Sequence, residues 1–258
     1  MTKLLILKKE LSKIKNNQPS FLGIDGGNIE SDIWVCGLEF GSDLKQMEAY
    51  YKSYVKTKSI DVYEIPYREK CPDYFIKSKY DRLLSVLSIS LFEKEQLAIP
   101  VKSELVDDYL KNKLYALDSD IFKLNLYPLA KKDTSWDKRI KNELEVSKED
   151  YYGIYFENRK LFLKELVQKF KPKLIICTSP KYYKDEFIET FYNQNEKSEF
   201  QWDYFTTLSG KKFKISVYDK GFSKVLIIPF LGLGNLLAYS EIIDIANYIK
   251  SRFKDLFN

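Results

Sequence analysis

Four short apolar runs constrain the fold of this chain more than any other feature of its sequence. Each run is nearly continuously apolar, which is expected of strands that helices cover on both faces of a parallel sheet. The runs are residues 32–37, 121–126, 173–178 and 224–229. Because segments with helical periodicity separate them, the sequence predicts an α/β fold in three layers, α/β/α, around a central four-stranded parallel sheet.

The segments between the runs predict helices and one hairpin. The predicted helices are about 3–15, 43–55, 78–92, 102–113, 155–170, 181–192 and 240–253. Residues 200–207 and 211–218 are predicted to pair as a hairpin, and the glycine-rich residues 23–28 to form a turn. No linker composition marks a boundary, so residues 1–258 are expected to form a single domain with an N-terminal helix.

The composition excludes several common catalytic chemistries. The 258 residues include no histidine, which removes Ser-His-Asp and Cys-His catalysis and imidazole metal ligands. Proton transfer would have to use Asp, Glu, Lys, Tyr, Cys or water. The net charge of +5 permits nucleic-acid binding without requiring it.

The three cysteines, Cys36, Cys71 and Cys177, lie far apart and share no C-x-x-C spacing. A zinc or iron–sulfur site is therefore not expected, and the sequence predicts no metal and no cofactor. Cys36 and Cys177 lie in apolar runs and are predicted to be buried thiols. The odd count and the absence of a visible signal peptide predict a reducing cytoplasm. The apolar runs are far shorter than the roughly 20 residues of a membrane helix, so no membrane partner is expected.

Polar residues follow three of the predicted strands. The first run ends in a Gly-x-Glu-x-Gly turn that holds Glu39, the second ends near Asn125, and the third ends in Thr178-Ser179. The carboxyl ends of parallel strands lie along one edge of a sheet, where open α/β folds bind their ligands. We expect these side chains to converge on one crevice.

This pattern resembles the uracil-DNA glycosylase superfamily over about residues 30–250. In that family a glycine-bearing motif ends the first strand, a later strand carries an Asn that pairs with a flipped base, and a basic loop, a long helix and a Pro-x-Leu-Ile-Ile strand follow. The matching segments here are Gly37-Leu38-Glu39-Phe40-Gly41, Phe122-Lys123-Leu124-Asn125-Leu126-Tyr127-Pro128, the basic residues after it, and Pro172-Lys173-Leu174-Ile175-Ile176.

The resemblance implies a DNA-binding protein that excises a damaged or modified base, with its four strands in the order 2-1-3-4. It assigns Glu39 as the catalytic carboxylate that faces the sugar or the attacking water. Asn125 would contact the base edge through its amide, and Phe40 would stack on the base. A basic loop would hold the nucleic acid through Lys131, Lys132, Trp136, Lys138 and Arg139.

The chain departs from the family after the fourth strand. The family carries a His-Pro-Ser type of motif there, whereas this chain has Ile227-Ile228-Pro229-Phe230-Leu231-Gly232. The family's imidazole stabilises the departing base, and losing such a donor costs roughly two to three decades in rate. That role would pass to backbone N–H groups of residues 230–235 or to Asn235, before the last helix.

Three functions remain open at this stage. The first is a base-flipping DNA glycosylase, and the second is a catalytically inactive nucleic-acid-binding or regulatory protein on the same fold. The third is a magnesium-dependent phosphoesterase with Asp25, Asp32 and Glu39 as ligands. Each site residue also has a structural alternative: Glu39 as an acid at a helix N-terminus, Asn125 as a partner of loop backbone, Trp136 as a loop anchor, and the lysines as a solvated run.

Overall fold

The computed structural model of the protein describes residues 4–39, 43–55, 77–93, 97–130, 138–179, 183–192, 201–219, 221–232 and 237–257. In these ranges the chain forms one mixed sheet of seven strands with helices between the strands. The strands are β1 Ile24–Gly27, β2 Ile33–Gly37, β3 Ile121–Asn125, β4 Leu174–Ser179, β5 Gln201–Thr206, β6 Lys212–Tyr218 and β7 Lys224–Pro229. The α-helices are α1 Leu5–Lys15, α2 Leu44–Val55, α3 Lys79–Phe92, α4 Ser103–Asn112, α5 Lys138–Leu144, α6 Lys148–Asp150, α7 Phe156–Phe170, α8 Lys184–Phe191 and α9 Tyr239–Arg252. A π-helical segment, Tyr151–Tyr155, joins α6 to α7, and a 3-10 turn, Lys254–Leu256, follows α9.

The α/β class is confirmed, and the four predicted strands are present as β2, β3, β4 and β7. They are parallel to one another and adjacent in the order β3-β2-β4-β7, which is the predicted order 2-1-3-4. In the middle of the sheet, Ile33 pairs with Leu174 and Cys36 with Cys177. The carboxyl ends of these four strands therefore lie side by side.

The four parallel strands form the centre of a larger mixed sheet that the sequence did not predict, because three further strands join it at its two sides through antiparallel pairing. β1 pairs with β3, and the predicted hairpin, β5–β6, joins the sheet through β6 and β7. The full order is β1-β3-β2-β4-β7-β6-β5. The sequence predicts the hairpin but not the strand that it joins, because antiparallel pairing to β7 depends on contacts far along the chain.

β1 replaces the turn that the glycine-rich segment predicted. Gly26 and Gly27 have φ angles of +122° and +105°, which favour glycine. A Cβ at Gly27 would lie 2.3 Å from the carbonyl oxygen of Ile121. The glycines therefore allow the backbone of β1 to lie close to that of β3. The sequence alone does not distinguish this role from that of a turn.

Helices cover the central strands on both faces. All residues of β2, β3 and β4 are buried, which requires packing on either side of the sheet. The helices pack in two groups: α3 against α4 and α9, and α1 against α2, the π-helical segment and α7, with α8 against α7. One continuous hydrophobic core links the sheet to both groups.

One helix start positions residues at the carboxyl edge of the sheet, and one helix end leads into the first residue of β4 at the opposite edge. Ser78 caps α3 by accepting a hydrogen bond from the backbone N–H of Asp81, at 3.3 Å. That cap orients the first turn of α3, which carries Tyr80, toward the ends of the strands. At the other end, Lys171 adopts a φ of +50° after α7, and Pro172 prevents the helix from continuing into β4.

Candidate functional site

A buried ammonium group lies at the centre of the carboxyl edge. Lys123, on β3, is 2% exposed, and its Nζ donates to Asp25 Oδ2 at 2.8 Å, Asn125 Oδ1 at 2.6 Å and the carbonyl oxygen of Leu124 at 3.0 Å. These three acceptors match the three protons of the ammonium group. Burial alone lowers the pKa of Lys123, but the adjacent Asp25 carboxylate outweighs it and raises the pKa above its usual value. Lys123 is thus held charged inside the protein.

Asn125 is occupied by the same network. Its Nδ2 donates to both carboxylate oxygens of Asp25, at 3.0 Å each, while its Oδ1 accepts from Lys123. The facing residue on β2 is Gly37, where a Cβ would lie 2.7 Å from Asn125 Oδ1 and 3.0 Å from Lys123 Nζ. Gly37 therefore provides the space for the network, and the amide of Asn125 is used inside the protein in this structure.

Tyr80 covers the network from the first turn of α3. Its hydroxyl lies 2.9 Å from Thr178 Oγ1, at the end of β4, and its ring lies 5.4 Å from Lys123 Nζ. Its ring centroid is also 5.7 Å from that of Phe230, directly after β7. Tyr80 thus bridges the ends of three parallel strands, and burial raises its pKa to about 12.

A second buried carboxylate lies next to Tyr80. Asp81 accepts a hydrogen bond from the Tyr115 hydroxyl at 2.5 Å. Burial raises the pKa of Asp81 to about 6, although the hydrogen bonds from Ser78 and Tyr115 lower it. Asp81 therefore titrates well above an ordinary aspartate.

Arg159, on α7, fastens the end of β3 from the opposite side. Its Nη2 donates to the carbonyl oxygens of Gly23 and Asn125, at 3.1 and 3.0 Å. The side chain is 1% exposed, and its Nε and Nη1 have no hydrogen-bond partner among the described residues. Burial lowers the pKa of Arg159 to about 10. The edge thus holds two buried cations: Lys123 has a hydrogen-bonded carboxylate, and Arg159 has none among the described residues.

Glu39 follows β2 at the same edge and is half-buried. Beyond the paired strands the two chains stay together, since Tyr127 N–H donates to the Leu38 carbonyl oxygen at 2.7 Å. Burial and then the Glu39 charge raise the pKa of Tyr151, and Glu39 also contributes to the raised pKa of Tyr127 behind burial and Glu186. The structure thus brings Glu39 and Asn125 to adjacent strand ends, with Glu39 beside tyrosines and Asn125 beside Asp25.

A pocket of about 250 Å³ opens farther along this edge, beside the ends of β4 and β7. Ser179 and Pro229, the last residues of those strands, line one side of it, and neither Glu39 nor Asn125 does. Among the described residues, no carboxylate lines the pocket. Four lysines do: Lys184, Lys211, Lys212 and Lys214. The exposed ring of Trp202 completes the basic side of the pocket.

The other predicted site residues lie partly outside the described residues. Lys138 and Arg139 begin α5, where Lys138 is exposed and Arg139 half-buried. The residues outside the described part of the chain are Phe40, Lys131, Lys132, Trp136 and Asn235. Their predicted roles stay predictions.

Sequence reasoning missed the partners of Asn125 and the lysine-lined pocket. Lys123 interrupts a run that is otherwise apolar, and a lysine in a strand covered on both faces requires a buried acceptor, so this signal was present. The pocket also had a signal, because Trp202 and Tyr204 on β5, and Lys212 and Lys214 on β6, alternate with period two. That alternation places aromatic rings and ammonium groups on one face of the hairpin.

The two cysteines predicted to be buried are buried and free. They are adjacent across β2 and β4, and burial raises the pKa of Cys36 to about 12 and that of Cys177 well above its usual range. Cys71 lies outside the described residues. Neither buried thiol has the character of a nucleophile.

The three acids of the magnesium alternative are not gathered. Asp25 is bonded to Lys123, and Asp32 forms an exposed ion pair with Lys173 at 2.7 Å. In the part of the chain that the structure describes, no three His, Cys, Asp or Glu side chains group closely enough to hold a metal ion.

The described helices also include none with both the length and the apolar character to cross a membrane. Comparison of the chain with protein-family models, with curated proteins and with solved structures found no match in any of the three.

Proposed function

We propose that the protein binds DNA at the carboxyl edge of its parallel strands and receives there a base turned out of the helix, as a divergent relative of the uracil-DNA glycosylases. The observation that carries the proposal is the strand order β3-β2-β4-β7. This order sets the ends of the strands that bear Glu39, Asn125 and Thr178 side by side, as the resemblance implies. Ligands of open α/β sheets bind at such an edge.

The charge of this edge agrees with an anionic partner. The surface next to the strand ends carries the four pocket lysines, and Lys138 is exposed after β3. Phosphate contacts from lysine and arginine supply most of the affinity in nonspecific DNA binding. Binding should therefore weaken steeply as salt rises.

Between excision and binding alone, the geometry of Asn125 favours binding alone. A base-pairing amide needs a free donor and a free acceptor, and both groups of Asn125 bond to Asp25 and Lys123. The chain also has no histidine to stabilise a departing base. We therefore propose a nucleic-acid-binding protein without efficient base excision as the main function.

Excision is the second candidate, and Glu39 favours it. Its carboxylate lies half-buried at the end of β2, beside Tyr127 and Tyr151. A carboxylate there could stabilise positive charge on the sugar or orient a water molecule. A base that leaves easily would need little further help.

The experiment combines binding and base release. Duplex oligonucleotides containing uracil, hypoxanthine or a modified pyrimidine are titrated by fluorescence anisotropy and assayed for abasic sites, with wild type, Glu39→Gln and the matched control Glu30→Gln. Glu30 is exposed and precedes β2, at the opposite end of the strand. Salt-sensitive binding without abasic sites supports the binding protein, and abasic sites that disappear only in Glu39→Gln support excision. Absence of binding at low salt would refute both.

A further inference from the structure

The β5–β6 hairpin presents aromatic rings and ammonium groups on one face. Cross-strand pairs on this face are Trp202 with Ser216, Tyr204 with Lys214, and Thr206 with Lys212. The opposite face packs against α9, where the ring centroid of Phe205 lies 5.4 Å from that of Tyr248. Because alternate residues point to opposite faces, the basic and aromatic residues stay on the side that α9 does not cover.

Lys184, at the start of α8, reaches the same face from the other wall of the pocket. Its Nζ lies 4.1 Å from the centroid of the Trp202 ring, and Lys214 Nζ lies 3.6 Å from it. Two ammonium groups are therefore drawn to one ring. Desolvation lowers the pKa of Lys184, the neighbouring Asp185 raises it, and Lys214 lowers it.

Among the described residues, the lysines of the pocket outnumber the carboxylates that pair with them. Lys211 is 3.4 Å from Glu241, but Lys184, Lys212 and Lys214 form no ion pair with a described carboxylate. Like charges held together repel each other, and a bound anion would relieve that repulsion. The side chains of Ser179 and Ser216, which also line the pocket, add hydroxyl groups that can donate to phosphate oxygens.

The exposed aromatic rings indicate which chemical group would bind beside the anion. Trp202 is 44% exposed and Tyr204 is 64% exposed. Aromatic rings beside lysines form the usual platform for unpaired bases, since any base can stack on them. The volume of about 250 Å³ is slightly below the roughly 300–1,000 Å³ of pockets for drug-sized ligands, so it suits a nucleotide-sized group and not a duplex.

We propose that this pocket is a binding site for single-stranded nucleic acid, in which Lys184, Lys212 and Lys214 hold phosphates and Trp202 stacks on a base. The phosphates draw the two ammonium groups away from the ring, which exposes its face. The inference deepens the proposed function, because the choice of a nucleic-acid ligand rests on it. The contacts to the single-stranded nucleic acid lie at a position to which the family resemblance assigns no role.

The test is the affinity for a single-stranded 15-nucleotide thymidine oligomer across a salt titration. Lys184→Ala/Lys214→Ala should weaken binding at least tenfold at low salt. It should also reduce the slope of log K against log salt by about 1.4, since each contact to a single strand contributes about 0.7. The matched control is Lys9→Ala/Lys52→Ala, which removes the same charge from exposed lysines of α1 and α2. Equal losses in the two double variants would show general attraction and overturn the site.

Tryptophan fluorescence locates the stacked base. The chain has three tryptophans, of which Trp34 is fully buried. Quenching by the oligomer should disappear in Trp202→Phe and persist in Trp136→Phe. Quenching that persists in Trp202→Phe and disappears in Trp136→Phe would place the strand on residues 131–139 and overturn the proposal.

Failure of this site and failure of the proposed function give different results. If the duplex oligonucleotides do not bind at low salt but the pocket variants lose the affinity that wild type has for the single strand, the pocket stands and the proposed function fails. If duplex binding is intact and the pocket variants bind the single strand like wild type, the pocket fails and the proposed function stands. Thermal melting of each variant confirms that it is folded.

Discussion

Lys123 and Asp25 are 98 residues apart in sequence, and their ammonium and carboxylate groups meet at 2.8 Å inside the protein. Asn125 bonds to both partners, so a lysine, an aspartate and an asparagine share their hydrogen bonds with one another. Such a closed arrangement ties β1 to β3 at the carboxyl edge of the sheet, at the irregularity in their pairing between Ile24 and Gly26. The coupling energy between Lys123 and Asp25 can be measured with a double-mutant cycle.

We expect a large coupling energy between Lys123 and Asp25. Lys123→Met should lower the free energy of unfolding by about 3–5 kcal/mol, because it leaves a buried carboxylate without its cation. Asp25→Asn should also lower the free energy of unfolding. The loss in the double variant should be much smaller than the sum of the losses in the two single variants. Urea denaturation of all four proteins measures this difference.

The exposed pair Lys173–Asp32 is the control for that cycle. Its N–O distance of 2.7 Å is nearly the same, but both side chains are 55% exposed. Solvent screens such a pair, so its coupling should stay below about 1 kcal/mol. Equal coupling in the two cycles would mean that burial does not strengthen the Lys123–Asp25 interaction.

Gly37→Ala should destabilise the protein by about 1–3 kcal/mol, because the new Cβ would displace the Asn125 amide or the Lys123 ammonium group. Gly153→Ala is the control, since a Cβ there meets no atom within 4 Å. It lies in the π-helical segment and should leave stability unchanged or raise it by up to about 1 kcal/mol. Chemical denaturation measures both. If Gly37→Ala lowers stability no more than Gly153→Ala does, the side chains of Lys123 and Asn125 can shift to accommodate the new Cβ.

Asp81 should make the protein less stable as pH rises from about 4 to about 6. Its pKa in the folded state is about 6, above the ordinary value of 3.8, so the native state binds this proton more tightly than the unfolded state. That stabilisation is complete below about pH 4 and is lost as pH rises through 6. The difference amounts to about 3 kcal/mol at most.

Asp81→Asn removes this titration and leaves the others in place. The difference in free energy of unfolding between wild type and Asp81→Asn should therefore shift against wild type between pH 4 and 6 and level off above it. Urea denaturation at intervals of half a pH unit measures the curve. A pH-independent difference would show that Asp81 titrates at the same pH in the folded and unfolded states.

Cys36 and Cys177 should resist thiol reagents until the protein opens. Both are 0% exposed, and burial keeps them protonated at neutral pH. In a Cys71→Ser background, labelling should be slow in buffer and complete in denaturant, and its rate should follow the opening of the sheet. Rapid labelling of the native protein would contradict the burial of the central strands.

The apolar runs were sufficient to predict the parallel core, because strands covered on both faces tolerate few polar residues. β2 and β4 were therefore identified with nearly their observed bounds, and the order of the four strands was correct. β1 was missed because Gly26 and Gly27 have the composition of a turn. Only the neighbouring Ile121 backbone shows that these glycines allow a close approach between strands.

The site was predictable in position but not in detail. Asn125 lies at the end of its strand, as its place in the sequence indicates. Its bond to Asp25 could not be predicted, because a pairing across 100 residues leaves no local pattern, although Lys123 in an apolar strand did indicate a buried acceptor. The pocket beside Trp202 had a local pattern, but its second wall comes from Lys184 on α8, which only the folded chain brings near.

The central position of β2 also determines when the sheet can form. Its neighbours are β3 and β4, at residues 121–125 and 174–179, so β2 leaves the ribosome long before either partner does. During synthesis Trp34 and Cys36 have no sheet to join, and contacts between such distant segments form slowly. The same strand that organises the finished core is therefore, among the four parallel strands, the one that waits longest in the nascent chain for both of its neighbours.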